Sequence, residues 1–334
     1  MKIAFFELEG WEEPIIKQEI GSHELYFSDE ELTELKLPPK RDFDIISVFI
    51  DSRVTKKTFE HFPNLKGIAT RSTGYDHIDL EAAQQRGIPI SYVPAYGNNT
   101  VAEFAFGLIL SLTRKIYQAV DQIKEITSFS LAGLRGIELK GKTLGIVGTG
   151  KIGREMVDIA KGFEMNVIAV DPNPDEALAK EKGFSYVSLE GLLSRSDIIS
   201  LHCPYTKTTH HLINRKNVAL VKKGAYLVNT ARGAIIETQA IIEALQKGIL
   251  AGAALDVLEE EGEIKDELEF LSRGKMQADR LLVMLGNHAL MKMPNVLITP
   301  HNAFNSREAL ERILHVTIEN IRGFAERKPL NVVK

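Results

Sequence analysis

Three glycines and an aspartate carry the first chemical signal in the chain. Gly148, Gly150 and Gly153 stand in the spacing G-x-G-x-x-G inside Thr143 to Asp171, TLGIVGTGKIGREMVDIAKGFEMNVIAVD. In such a turn the first glycine permits a tight bend, the second lets a pyrophosphate approach the backbone, and the third lets a helix pack closely on a strand. Lys151 and Ile152 fall at the start of that helix, whose N–H groups would face the phosphates. Asp171 follows where an acidic side chain would hold both ribose hydroxyls of an adenosine and repel a 2′-phosphate, so the pattern favours NAD over NADP. The competing reading is a flavodoxin-like turn without a dinucleotide, in which Asp171 merely opens the turn Asp171-Pro172-Asn173-Pro174.

The elements that position these residues read as strand, glycine turn, helix and strand. Leu144, Ile146 and Val147 form the short apolar run of a buried parallel strand, and Asn166 to Val170 forms the second strand. Before this unit, the apolar runs Ile3 to Phe6, Ile45 to Ile50, Gly67 to Thr70 and Ile88 to Val93 alternate with helix-like segments such as Thr55 to Phe62. That alternation predicts a separate α/β domain with a mainly parallel sheet. One long helix is expected from about Thr100 to Glu125, followed by the Gly-containing connection Ala132 to Gly136. Beyond Asp171, strands are expected at Ser185 to Val187, Ile198 to His202, Ala225 to Asn229, Gly252 to Asp256 and Val296 to Thr299, completing a doubly wound sheet. Glu259 to Met293, with Phe270, Leu281, Leu282 and Met284, reads as a helical excursion, and Ser306 to Arg327 as a last amphipathic helix.

Composition bounds the partners. The chain has 334 residues, enough for two cores, with 44% hydrophobic and 26% charged residues. A formal net charge of −4 with dispersed basic residues argues against a nucleic-acid surface. The single cysteine, Cys203, excludes an intramolecular disulfide and a Cys-rich metal site, and a reducing, cytoplasmic setting is expected. The N-terminal apolar run is too short for a signal-peptide core, and Phe104 to Leu112 falls far short of the roughly 20 residues that span a bilayer.

Further motifs appear in a fixed order: GTGKIG with Asp171, Leu201-His202-Cys203-Pro204 followed by Thr209 and Ile213-Asn214, Asn229-Thr230-Ala231-Arg232-Gly233, Ala254-Leu255-Asp256-Val257 running into Glu259-Glu260-Glu261, and Thr299-Pro300-His301. Over nearly its whole length the chain resembles the D-isomer-specific 2-hydroxyacid dehydrogenases, and within them the NAD-dependent D-lactate dehydrogenases. The resemblance implies two doubly wound domains, a Rossmann NAD-binding domain inserted into a flavodoxin-like catalytic domain. The catalytic domain would comprise residues 1–100 and 301–334, and the NAD domain residues 101–300, including the Thr100–Glu125 helix around which a homodimer would form.

Hydride transfer to a 2-oxo acid needs a proton donor at the carbonyl oxygen, where charge develops, and a cation for the carboxylate. His301, Arg232 and Glu261 supply these residue types. By resemblance, His301 is the acid/base, Glu261 hydrogen-bonds its other ring nitrogen and keeps it protonated, and Arg232 binds the substrate carboxylate and carbonyl. Each lies just past an expected strand, where ligands bind in a doubly wound sheet. Taken singly, a histidine is more often a surface or hydrogen-bonded structural residue, and His301 escapes that reading only through its motif; Arg232 could be a solvated loop charge, and Glu261 part of the acidic run Glu259 to Glu263.

The resemblance also assigns Cys203, Pro204, Thr209, Thr230, Ala231 and Asp256 to the cofactor, with Asp256 on the nicotinamide carboxamide or serving as a turn aspartate. Ser72, Thr73 and Gly74 resemble a loop whose backbone N–H groups bind carboxylate, and Tyr96 an aromatic position beside the substrate. Phe304 would help make a small apolar wall, while Asn305 stands where many lactate enzymes carry an aromatic residue. The implied reaction is reversible hydride transfer between NADH and pyruvate giving D-lactate, with no metal. The alternatives are a broader D-2-hydroxyacid dehydrogenase for longer 2-oxo acids and, from another class, an NAD-sensing corepressor or scaffold.

Overall fold

A computed structural model describes residues 1–261 and 278–333. Contacts divide the chain into two compact units, Met1–Gly97 with Asn305–Lys334, and Asn98–Phe304. The divisions therefore fall at 97/98 and 304/305, and not at 100/101 and 300/301. Residues 301–303 stay with the second unit because the backbone N–H of His301 donates to Asp256 O at 2.8 Å and the Asp256 carboxylate accepts from Asn302 and Ala303.

The first unit contains β1 (Lys2–Phe5), α1 (Glu12–Ile20), β2 (Glu24–Phe27), β3 (Ile45–Val48), α2 (Lys56–Glu60), β4 (Gly67–Thr70), α3 (Leu80–Gln85) and β5 (Ile90–Ser91). Its strands are parallel in the order β2-β1-β3-β4-β5, the flavodoxin-like winding. Successive strand residues face opposite layers. Ile45 is buried with Ile3, Phe5 and Ala69 beneath Ile16 of α1 and Ile318 and Phe324 of the C-terminal helix, whereas Ile46 and Val48 are buried with Phe59, Ala82 and Ala83. Gly67 admits that helix, since a β-carbon there would press on the Phe324 ring. The apolar run Ile45 to Ile50 leaves the sheet after Val48 because the N–H groups of Phe49, Asp51 and Ser52 donate to the Glu7 carboxylate.

The second unit runs α4 (Asn98–Thr113), α5 (Ile116–Ile126), β6 (Thr143–Val147), α6 (Lys151–Gly162), β7 (Asn166–Val170), α7 (Glu176–Lys182), β8 (Ser185–Tyr186), α8 (Leu189–Arg195), β9 (Ile198–Leu201), β10 (Ala225–Asn229), α9 (Thr238–Gln246), β11 (Leu250–Leu255), α10 (Ala278–Met291) and β12 (Val296–Ile298). The C-terminal helix of the first unit is α11 (Arg307–Ala325). All seven strands pair in parallel in the order β12-β11-β10-β9-β6-β7-β8, with the winding reversing between β6 and β9. One face packs Leu144, Ile146 and Val228 on Ala105, Ile109 and Met156, and the other packs Ile199, Leu201 and Leu227 on Leu192 and Ile241. Of the expected Glu259 to Met293 excursion, Leu281, Leu282 and Met284 lie on α10, while residues 262–277, Phe270 included, lie outside the described residues.

The single helix expected from Thr100 to Glu125 is two helices. The break falls at Lys115, whose φ of 54° is left-handed. Thr113 ends α4 because its carbonyl accepts the Ile137 N–H at 3.0 Å and its hydroxyl donates back to Ile109 O. The second helix buries none of its residues and exposes Ile116, Val120, Ile123 and Ile126.

Candidate active site

The three glycines of the β6–α6 turn occupy three different environments. Gly148 has a φ of 96°, and a β-carbon there would lie 2.8 Å from Cys203 N and His202 O, so only glycine lets the turn cross the end of β9. A β-carbon at Gly153 would run into the Gly148 carbonyl, the close approach that binds α6 to the turn. Gly150 is different: nothing lies within 4 Å of its missing β-carbon. It caps α6 without any side-chain hydrogen bond, so the backbone presents an open cradle at the start of the helix, with Lys151 and Ile152 as its first residues. Thr149, in the middle of the turn, donates its N–H to Asp171 Oδ2 at 2.8 Å.

Asp171 lies at the end of β7 and also accepts the Asn173 N–H at 2.9 Å. Burial raises its carboxyl pKa, but the hydrogen bonds from Thr149 and Asn173 and the charge of Arg154 together outweigh burial and hold it below the ordinary carboxylate value. It is the anion that a ribose diol would meet.

From Asp171 the strand order lays a row along the carboxyl edge of the sheet: β7, β6 with Gly148, β9 with Cys203, β10 with Thr230 and Arg232, β11 with Asp256 and Glu261, and β12 with His301. Five interstrand steps of about 4.8 Å separate the two ends, roughly 24 Å, room for an extended dinucleotide. Between them lie two buried polar atoms without a hydrogen-bond partner among the described residues, His202 Nδ1 and Thr230 Oγ1. His202 Nε2 meets Ser200 Oγ at 2.8 Å, and burial pulls the His202 pKa down to about 3, so this imidazole is neutral. Burial pushes the Cys203 thiol up to about 11, which keeps it protonated and unreactive. Beyond Cys203, Thr209 Oγ1 donates to Pro204 O at 2.7 Å and closes the turn after β9.

His301 is positioned by Asp256. That carboxylate is almost completely buried and accepts from Thr299 Oγ1 at 2.5 Å, Asn302 N at 2.8 Å and Ala303 N at 2.9 Å. Asp256 thus organises the loop after β12, in which His301 adopts a left-handed φ of 52°. The His301 ring meets Glu261 through Nδ1, at 2.7 Å from Oε1, and this leaves Nε2, the ring nitrogen farther from the backbone, for a reacting group. Glu261 Oε2 accepts the Leu258 N–H at 3.2 Å, which fixes the carboxylate from behind.

A second imidazole–carboxylate pair lies nearby in the same unit. His211 Nε2 meets Glu259 Oε1 at 2.6 Å, and Glu259 Oε2 accepts both the N–H and the hydroxyl of Thr238. The two pairs differ in what they leave available. His211 uses its outer ring nitrogen on a carboxylate that is itself buried, so this pair ties the Glu259 loop to the chain after β9, while Thr238 ties it to the start of α9. Residue types gave no hint of it, because the partners are 48 positions apart.

Arg232 sits in a turn stitched by Asn229, whose Nδ2 donates to Arg232 O and whose Oδ1 accepts from Ala231 N. The guanidinium donates to Ala231 O at 2.8 Å. Gly233 follows it and touches the backbone of Leu258 and Glu259 so closely that a β-carbon has no room. The Arg232 turn is thereby seated on the loop that leads to Glu261.

In the first unit, Ser72 and Thr73 turn their hydroxyls inward. Ser72 Oγ meets Thr70 Oγ1 at 2.7 Å and donates to Gly74 O, and Thr73 Oγ1 donates to Val93 O at 2.6 Å. Tyr96 is half-buried, and its carbonyl accepts from Arg312 Nε at 2.6 Å. Beneath the Ser72–Gly74 turn, Arg71 is buried against Glu12 and the Phe49 ring.

The family description "D-isomer specific 2-hydroxyacid dehydrogenase, NAD binding domain" matches residues 106–303. A 2-hydroxyacid dehydrogenase homolog of Zymomonas mobilis is 38% identical over 326 residues, covering 96% of each chain. The D-lactate dehydrogenase of Escherichia coli is 37% identical over 325 residues, also covering 96% of each. The crystal structure of D-lactate dehydrogenase from Aquifex aeolicus, complexed with NAD and lactic acid, superposes with a TM-score of 0.85 at 35% identity, covering 98% of this chain and 96% of that one. The chain belongs to the D-isomer-specific 2-hydroxyacid dehydrogenases and is an oxidoreductase of the Rossmann type. Its cofactor is NAD, and the open cradle at Gly150, the anion at Asp171 and the unpartnered polar atoms along the strand edge fit that group.

Proposed function

We propose that the protein is a D-lactate dehydrogenase that reduces pyruvate with NADH and runs in reverse on D-lactate. The observation that carries this reading is the His301–Glu261 pair at the far end of the NAD row, 2.7 Å apart with Nε2 of the imidazole left over. NADH, when bound, supplies a hydride to the carbonyl carbon. Arg232 holds the substrate carboxylate and draws charge toward the carbonyl oxygen. His301 Nε2 gives that oxygen its proton as it becomes an alkoxide, and takes the proton back in the oxidative direction. Glu261 holds the imidazole by Nδ1 and balances its positive charge. Backbone N–H groups of Ser72, Thr73 and Gly74 are further carboxylate donors in this reading, consistent with hydroxyls that are already spent on the turn, and Tyr96 is a wall of the substrate site. Cys203, Pro204, Thr209, Thr230 and Ala231 border the cofactor, and Asp256 acts by holding the His301 loop.

In the same reading, Asn98–Phe304 holds the cofactor and the acid/base. A homodimer in the cytoplasm is proposed, supported by the exposed apolar stripe of α5. No helix among the described residues is long and apolar enough to cross a membrane.

NADH oxidation measured with pyruvate, glyoxylate, hydroxypyruvate and phenylpyruvate, with chiral analysis of the product, tests the substrate. Pyruvate with the highest kcat/KM and a D product is the expected result. Asn305, in place of an aromatic residue, favours a second reading with longer 2-oxo acids, and phenylpyruvate leading pyruvate would select it. Tight NADH binding with no turnover on any 2-oxo acid would replace both by an NAD-sensing scaffold.

A further inference from the structure

Every polar group of Thr149 is engaged. Its N–H donates to Asp171 Oδ2 at 2.8 Å, its hydroxyl lies 3.0 Å from the same oxygen and 2.8 Å from the Tyr186 hydroxyl, and its carbonyl accepts from Arg154 Nε at 3.1 Å. A hydroxyl has one proton to give. Asp171 is held ionised by its donors, so its carboxylate accepts the Thr149 proton, and Tyr186 must then donate to Thr149 Oγ1. The order Tyr186 to Thr149 to Asp171 is therefore a one-way relay that ends on the carboxylate.

The relay spans three strands. Thr149 follows β6, Asp171 follows β7, and Tyr186 ends β8, where Ala169 pairs with Tyr186 in the ladder. The Tyr186 ring is fixed by an edge contact to Phe184, with centroids 5.1 Å apart. Asp171 Oδ1 is tied from the opposite side by Asn173 N–H. A carboxylate held at both oxygens cannot swing away when a bulkier or more negative group approaches. It still has a lone pair for a ribose hydroxyl, because its two oxygens offer about four acceptor sites and three are in use.

We propose that Thr149 and Tyr186 are specificity-determining positioning residues, which lock the Asp171 carboxylate in the orientation that accepts an adenosine ribose hydroxyl and turns away a 2′-phosphate. Discrimination against NADP then comes from the rigidity of the aspartate as well as from its charge. With Thr149 reduced to a hydrocarbon, Asp171 Oδ2 keeps only the backbone N–H of residue 149, loses a charge-assisted donor and is held less firmly against an incoming phosphate. The proposal rests on Asp171 meeting the ribose, and Asp171→Ala tests that separately.

Direct binding of NADH and NADPH to the whole enzyme, followed by nucleotide fluorescence without substrate, reads the effect apart from turnover. Thr149→Val is expected to weaken NADH binding by about tenfold, the loss of one charge-assisted hydrogen bond, and to narrow the NADPH/NADH ratio of Kd values by a similar factor. Thr149→Ser keeps the hydroxyl and should restore both values. Tyr186→Phe leaves Thr149 able to donate, so the ratio should narrow by only about threefold. An unchanged ratio in both Thr149→Val and Tyr186→Phe, or the same change in Thr149→Ser as in Thr149→Val, overturns the proposal. If Thr149→Val does not fold, an unchanged ratio in Tyr186→Phe overturns it alone. Unchanged NADH affinity in Asp171→Ala would remove the ribose contact itself, a failure distinct from that of the relay.

Discussion

His301 Nδ1 and Glu261 Oε1 lie 2.7 Å apart, and the second oxygen of the same glutamate is held by the Leu258 N–H. The imidazole is therefore fixed by a carboxylate that is itself fixed by backbone. Glu261→Gln keeps the shape and removes the charge. General acid–base catalysis contributes about 10²- to 10⁴-fold, and loss of at least 10² in kcat for pyruvate reduction is expected, with the Kd for NADH unchanged. Near-normal kcat in this variant would assign Glu261 to an ordinary acidic surface.

Arg232 and Gly233 should fail differently. Arg232→Lys replaces a forked donor by a point charge, so kcat/KM on pyruvate should fall by orders of magnitude while the melting temperature holds. Gly233→Ala forces a β-carbon into the Leu258 backbone, which cannot yield as a side chain would. It should lower both activity and thermal stability. Calorimetry and steady-state kinetics on the pair separate a lost substrate contact from a displaced loop.

Cys203 gives a pH signature. Burial pushes its thiol up to about 11, against about 8.5 in an unfolded chain. The folded protein binds the extra proton between these values, so this group supports folding fully below about pH 8.5 and loses that support as pH rises toward about 11. Labelling by a disulfide reagent at pH 8 should be slow in the native enzyme and fast in urea, and Cys203→Ala should flatten the alkaline fall in stability. Rapid native labelling would contradict the burial argument.

The α5 stripe makes a claim on assembly. Ile116, Val120 and Ile123 repeat at helical spacing, and Phe129 and Leu131, which follow, are each more than 80% exposed. A double change, Ile123→Glu with Phe129→Glu, should convert a dimer to a monomer in analytical ultracentrifugation. A wild-type protein that sediments as a monomer at micromolar concentration would refute the dimer.

Much of this architecture is legible in the chain because parallel strands buried on both faces read as short apolar runs. Leu144 to Val147 and Ile198 to Leu201 show this, and the glycine spacing locates the turn between β6 and α6. Edge strand β2 does not read this way: Glu24 is exposed and its other residues are only half-buried. The break after Thr113 carries neither glycine nor proline, and is set by the distant Ile137 N–H. Residue types likewise singled out Asp256, but only the fold reveals that its carboxylate is spent on Thr299, Asn302 and Ala303. Contacts across tens of residues, such as His211 with Glu259, leave no local pattern to read.

The return of α11 to the first sheet has a consequence for synthesis. Ile3, Phe5, Ile45 and Ala69 leave the ribosome early, yet Leu314, Ile318, Ile321 and Phe324, which cover them, are made only after the whole intervening unit. At about 5–20 residues per second, a gap of roughly 200 residues leaves that face incompletely covered for about 10–40 s. The nascent chain is thus a substrate for holding chaperones during that interval, and a stop codon before Arg307 would yield a folded nucleotide unit tethered to an aggregation-prone half-sheet.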